Sequence, residues 1–116
     1  MPDMFSVTSE RHDDDLGVVV LSGEVDIFTA PQFKECLLEL LDSGVRRLVV
    51  DLSEVTFIDS TALGVLIGGV RRVNGVGGAM AIVVTTRPVE RVLSVTGLDR
   101  VFSMHATRDE AISALA

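Results

Sequence analysis

A chain of 116 residues holds about one small domain's worth of sequence, and a core of that size needs no disulfide or metal staple. Apolar residues make up 47% and charged ones 23%, which excludes a disordered chain, and the lone Cys36 excludes an internal disulfide or a multi-cysteine metal site. Seventeen acidic residues against ten basic ones give a formal charge of −7, the wrong sign for a surface that neutralises nucleic-acid phosphates. With no Trp or Tyr there is also little material for stacking bases. The charge is lopsided: residues 1–59 carry thirteen acids and four bases, residues 60–116 four acids and six bases. An acidic half of this kind suits a partner with a basic face. The longest strongly apolar stretch, residues 62–70, is nine residues long. A membrane span needs ~20. Residues 1–10 (MPDMFSVTSE) lack the basic and apolar blocks of a signal peptide. The expectation is a soluble cytoplasmic domain spanning residues 1–116, with neither a nucleic-acid nor a membrane partner.

Residues 5–8 read as a first short strand and residues 16–21 (LGVVVL) as a second, joined through the polar loop 11–15 (RHDDD). From residue 29 to residue 42 the period becomes helical, with Phe33, Cys36, Leu37, Leu40 and Leu41 on one face. Thr29 with Gln32 reads as a capping box, Pro31 suits the first turn and Gly44 supplies a stop. Residues 47–52 (RLVVDL) read as a buried strand closed by Asp51, with Phe57 and Ile58 a separate extended piece. A second helix starts at Ser60 and carries Leu63, Leu66, Ile67, Val70 and Val73 on one face. Gly64 and Gly68 cost that helix ~1 kcal/mol each, which predicts close packing of its bare strip against the sheet. Residues 74–78 (NGVGG) turn into a buried strand at 79–84. A short helix at 88–95 ends at Gly97, and a weak strand follows at 101–104. Thr107 with Glu110 caps a last helix whose Ala111, Ile112 and Leu115 face inward. The order β-β-α-β-α-β-α-β-α predicts an α/β fold in which a hairpin feeds a mixed, mainly parallel sheet, with about four helices.

Few residues offer catalytic chemistry. His12 and His105 fall in no metal-ligand spacing and read as surface or packing residues, and Cys36 as an inert small hydrophobe. Gly75, Gly77 and Gly78 lack the Lys-Ser/Thr of a P-loop and precede a strand, so they form a turn. Asp51, at a predicted strand end, stands where a receiver-like phosphotransfer protein accepts phosphate. Such a protein also needs acids after its first strand to hold Mg²⁺, and only Ser9 and Glu10 follow here. Residues 59–64 (DSTALG) are the second candidate. A plain helix cap needs one polar side chain, whereas Asp59, Ser60 and Thr61 stand in a row. The small Ala62 and Gly64 leave Ser60 uncovered at a helix start, where a kinase can reach it and a phosphate can sit.

Two stretches resemble the anti-sigma factor antagonists of the STAS fold. Residues 23–31 (GEVDIFTAP) are similar to that family's GExDxxTAP stretch, and residues 51–64 (DLSEVTFIDSTALG) to its D-L-x-x-V-x-F-x-D-S-[ST]-[GA]-L-G signature. Residues 97–102 (GLDRVF) extend the likeness, which covers essentially the whole chain. Ala62 stands where many members carry Gly. The resemblance implies a single STAS domain that is not an enzyme and holds no cofactor or metal of its own. Ser60 matches the serine phosphorylated by an ATP-dependent serine kinase that is also the anti-sigma factor, and a serine phosphatase would reset it. The unphosphorylated form would bind the kinase and release the sigma factor, regulating transcription. The partner-binding surface implied in this way comprises Asp26, Thr29, Asp59, Thr61, Leu63 and Gly64, on a monomer or weak dimer. Rival readings keep the fold and make the chain a scaffold subunit of a stress-sensing complex or of transport machinery, or use Asp51 as a receiver.

Overall fold

A computed structural model describes residues 4–116. Five strands lie side by side in chain order: β1 (Ser6–Arg11), β2 (Leu16–Val25), β3 (Arg47–Ile58), β4 (Ala79–Val83) and β5 (Ser103–His105). β1 runs antiparallel to β2, and every other neighbouring pair is parallel. The helices are α1 (Ala30–Asp42), α2 (Ser60–Gly75), α3 (Arg87–Val95) and α4 (Arg108–Leu115), with a short 3₁₀ turn at Leu98–Arg100. The predicted element order is found intact.

Strands β2 to β4 are apolar on both faces, as parallel strands covered on both sides should be. Val19, Leu21, Leu48, Val50 and Ile82 point to one side, into a core closed by Phe33 and Leu37 of α1, Leu66 of α2 and Leu93 of α3. Leu16, Val18, Val49, Ala81 and Val83 point to the other side, where Ala111 of α4 meets them. Successive crossovers of one hand put α1, α2 and α3 on the same face, leaving α4 alone on the second. Each fully buried Leu or Phe contributes about 1.5–3 kcal/mol of transfer free energy, so the three-helix face dominates stability.

Several local expectations give way to tertiary context. The pieces 47–52 and 57–58 are one uninterrupted strand, because β2 continues beside β3 as far as Val25 and β3 bulges by one residue at each of two register shifts. The capping box of Thr29 and Gln32 is absent. Thr29 has a helical backbone (φ −102°, ψ −19°) rather than an extended one, so its hydroxyl turns back into the preceding loop. At the last helix the Thr107 hydroxyl does accept from the Glu110 amide, at 3.1 Å. The glycine strip of α2 does not meet the sheet either: a Cβ added at Gly64 or Gly68 would touch nothing, and Gly69 is the glycine packed against Leu37 and Met80.

Candidate functional site

β2 and β3 run together to their ends, with Val25 opposite Ile58, and the Asp59 amide donates to the Val25 carbonyl at 3.1 Å. The loop 26–29 and the start of α2 therefore leave the sheet side by side. They do so at the C-terminal end of parallel strands, where open α/β sheets place their ligands.

Asp59 is the N-cap of α2, in extended backbone. Its Oδ1 accepts from the amides of Thr61 (2.9 Å) and Ala62 (3.1 Å), and its Oδ2 from the amide of Ile27 (3.1 Å). Asp26 organises the neighbouring loop, its Oδ1 accepting from the amides of Phe28 (2.9 Å) and Thr29 (3.2 Å). The Thr29 hydroxyl accepts from the Asp26 amide at 2.9 Å and donates to the Glu24 carbonyl at 3.1 Å. Ser60 follows Asp59 as the first residue of α2, exposed, and nothing among the described residues hydrogen-bonds its hydroxyl. Two carboxylates are thus spent on holding backbone, and the Ser60 hydroxyl next to Asp59 makes no hydrogen bond among the described residues.

Asp51 is a carboxylate of a different kind. It sits midway along β3 on the α4 side and is 5% exposed. It accepts from Arg108 Nε (3.1 Å) and Nη2 (3.0 Å), and from the Ser53 amide (3.0 Å) and hydroxyl (2.6 Å). Burial alone would raise its pKa, but the Ser53 bonds and the Arg108 guanidinium outweigh burial and hold it below the usual carboxylate value. Enclosed in this way it is an ion pair joining sheet to helix, and the receiver-like reading of Asp51 is overturned.

The residues expected on the partner-binding surface divide. Thr61 and Gly64 are exposed on α2, while Asp26, Thr29 and Asp59 are half-buried and hold the loops. Leu63 is a correction: it is 6% exposed and packed in the three-helix core, because its position on the apolar face of α2 turns it inward.

Residues 7–111 match the family model of the STAS domain. The chain belongs to the STAS domain family. A Thermotoga neapolitana protein provisionally named as an anti-sigma factor antagonist is 37% identical over 100 residues, covering 85% of this chain and 88% of the relative. The anti-sigma-B factor antagonist of Staphylococcus epidermidis is 31% identical over 85 residues, covering 73% of this chain and 79% of the relative. Among solved structures, an anti-sigma factor antagonist from Mycobacterium paratuberculosis superposes with a TM-score of 0.86 at 30% identity, over 97% of this chain and 94% of that one.

In this STAS domain, sequence reasoning missed the exposed apolar side chains of the 26–29 loop, whose Ile27 amide is bonded to Asp59, and of the end of β3. Ile27 and Phe28 are 61% and 84% exposed, and Phe57, near the end of β3, is 45% exposed. Large apolar side chains left exposed, with no core to enter, are the raw material of a docking surface. The signal was present in the sequence: Ile27 and Phe28 lie between β2 and α1, on the apolar period of neither.

Proposed function

We propose that the chain is an anti-sigma factor antagonist whose docking on a serine-kinase anti-sigma factor is switched off by phosphorylation of Ser60. The observation that carries this reading is the exposed, unbonded Ser60 hydroxyl at the first position of α2, flanked by loops that Asp26 and Asp59 hold in place. The names of the relatives support the class of partner. Thr61 and the exposed apolar residues Ile27 and Phe28 form the surface that the kinase covers, and in the bound complex the sigma factor is released.

The kinase holds ATP and Mg²⁺. Ser60 Oγ attacks the γ-phosphorus, its proton passes to the kinase's base, and ADP leaves. The product carries about −1.5 to −2 charges at neutral pH. The N-terminus of α2 offsets this by about 0.3–1 kcal/mol. Against it, like charges about 4 Å apart cost ~1–4 kcal/mol, and Asp59 adjoins Ser60 while Asp26 belongs to the loop that Asp59 holds through Ile27. Covering the dianion with a partner adds several kcal/mol of desolvation unless cations answer it. Each ~1.4 kcal/mol is tenfold in affinity, so docking is lost while the fold persists. A serine phosphatase, adding water across the Oγ–phosphorus bond, restores the free hydroxyl.

The test is incubation with candidate serine kinases from the same genome and ATP, followed by mapping of the modified peptides. Phosphate is expected on Ser60 and is lost in Ser60→Ala. Phosphate confined to another residue rejects the assignment.

A further inference from the structure

α1 and α2 follow parallel strands onto the same face of the sheet and run side by side, tied at their far ends by Arg72 Nη2 to Asp42 Oδ1 at 3.4 Å. Between them lies a groove of about 950 Å³ that begins at Thr61, the residue after Ser60, and extends to Arg72. Eleven further positions of helix make it about 16 Å long. Leu37, Leu38 and Val65 supply an apolar lining. Gly64 and Gly68 keep the α2 wall low, although a Cβ at either position would meet nothing of the chain itself.

The charge of this groove is opposite to that of the molecule. Lys34, Arg71 and Arg72 line it and, among the described residues, no carboxylate does, in a chain of net charge −7. Arg72 is answered by Asp42, whereas Lys34 and Arg71 have no ion pair among the described residues. Glu35 and Glu39 are exposed on α1 but lie outside the lining.

From this geometry we infer that the groove between α1 and α2 receives an amphipathic helix of the kinase, with an apolar face toward Leu38 and Val65 and acidic residues toward Lys34 and Arg71. A valley between two neighbouring helices, about three turns long, is the shape that a third helix fills, and low glycine walls let its backbone approach closely. Cations without partners select acidic side chains for its rims. Continuity through Thr61 makes the occupant part of the same protein that reaches Ser60, so the inference rests on the proposed function. It adds a second docking element that stays in place beside the phosphorylation site and carries partner specificity.

The probe is the purified kinase that phosphorylates Ser60. Gly68→Leu, which fills the groove, and the pair Lys34→Glu with Arg71→Glu, which reverses its charge, are each expected to weaken kinase binding at least tenfold. Ser113→Glu, on α4 across the sheet, is expected to stay within twofold, and circular dichroism with thermal unfolding confirms that all variants fold. A photo-crosslinking residue at position 68 is expected to capture a kinase segment that is helical and acidic on one face. Groove variants that bind like the wild type, while Ser60→Asp binds weakly, overturn the groove and leave the proposed function standing. A crosslink to a basic or non-helical kinase segment overturns it, and so does a self-crosslinked dimer that the kinase fails to displace. If no kinase modifies Ser60, the proposed function falls and the groove's occupant falls with it.

Discussion

The carboxylate of Asp59 reaches from the cap of α2 to the amide of Ile27, 3.1 Å away, so one side chain fixes both the helix that presents Ser60 and the loop beside it. Three backbone donors depend on it: Ile27, Thr61 and Ala62.

Removing that carboxylate therefore costs more than a simple cap. Asp59→Ala is expected to destabilise the fold by about 1–2 kcal/mol, the upper part of the range for lost helix caps. Asp59→Asn keeps a carbonyl oxygen for the helix amides and is expected to lose less than half as much. Urea unfolding of the two variants beside the wild type measures this, and equal losses would show that charge, rather than capping geometry, is what Asp59 supplies.

The ion pair of Asp51 and Arg108 predicts a pH dependence with a definite sign. Asp51 has its pKa lowered in the folded state, so its ionisation stabilises the fold above the ordinary carboxylate range. That contribution is lost as the pH falls through the folded pKa. Arg108→Leu leaves the buried carboxylate with Ser53 alone and is expected to cost about 1–3 kcal/mol at neutral pH. In the variant Asp51 protonates more readily, so the deficit should shrink on acidification toward about pH 3.5. The accompanying loss of the Arg108–Glu10 pair, at 2.9 Å on the surface, adds little. Denaturant titrations at the two pH values decide it, and a deficit that does not change with pH argues against an ionised Asp51.

Two glycines predict opposite outcomes for the same substitution. At Gly78 a Cβ would collide with the carbonyl oxygen of Arg46, the same oxygen that accepts from the Ala79 amide to start β4. Gly78→Ala is expected to cost about 1–3 kcal/mol through forced backbone displacement. At Gly68 a Cβ meets open space, so Gly68→Ala is expected to stabilise the free protein by about 0.5–1 kcal/mol through helix propensity. Thermal unfolding reads both. Such a gain would show that Gly68 is kept for something other than the stability of the isolated fold.

Much of this architecture was legible in the sequence because period and burial coincide. Phe33, Leu37 and Leu40 marked α1, and the apolar runs 47–52 and 79–84 marked β3 and β4. The misreadings share a cause. Ser53, Glu54 and Thr56 read as a break in β3, yet they continue the strand, which takes up one extra residue against β2 at each of two register shifts. Asp51 consequently sits mid-strand, where only tertiary structure brings Arg108 to it, 57 residues further along the chain. Gly64 and Gly68 registered as a cost that needed repayment, but nothing local said which side of α2 they face. Ser60 was located correctly at the start of a helix because its neighbours are small and polar. That Asp59 ties it to residue 27 depends on the pairing of Val25 with Ile58, which no local pattern encodes.

Phe28 separates docking from folding most cleanly. At 84% exposure it buries almost nothing in the free protein, so Phe28→Ala is expected to change stability by less than about 0.5 kcal/mol. Its amide is held by Asp26 Oδ1 at 2.9 Å, a bond that truncating the side chain leaves intact, so the loop keeps its shape. If this face meets the kinase, an aromatic ring desolvated there should act as an anchor, and its loss should weaken binding at least tenfold, about 1.4 kcal/mol or more. Ser60→Asp should weaken binding by a different route, repulsion and desolvation, and its penalty should therefore change with salt while that of Phe28→Ala does not. Calorimetric titration of both variants with the kinase at low and high ionic strength distinguishes the two routes. A Phe28→Ala protein that binds like the wild type would move the docking surface away from the 26–29 loop.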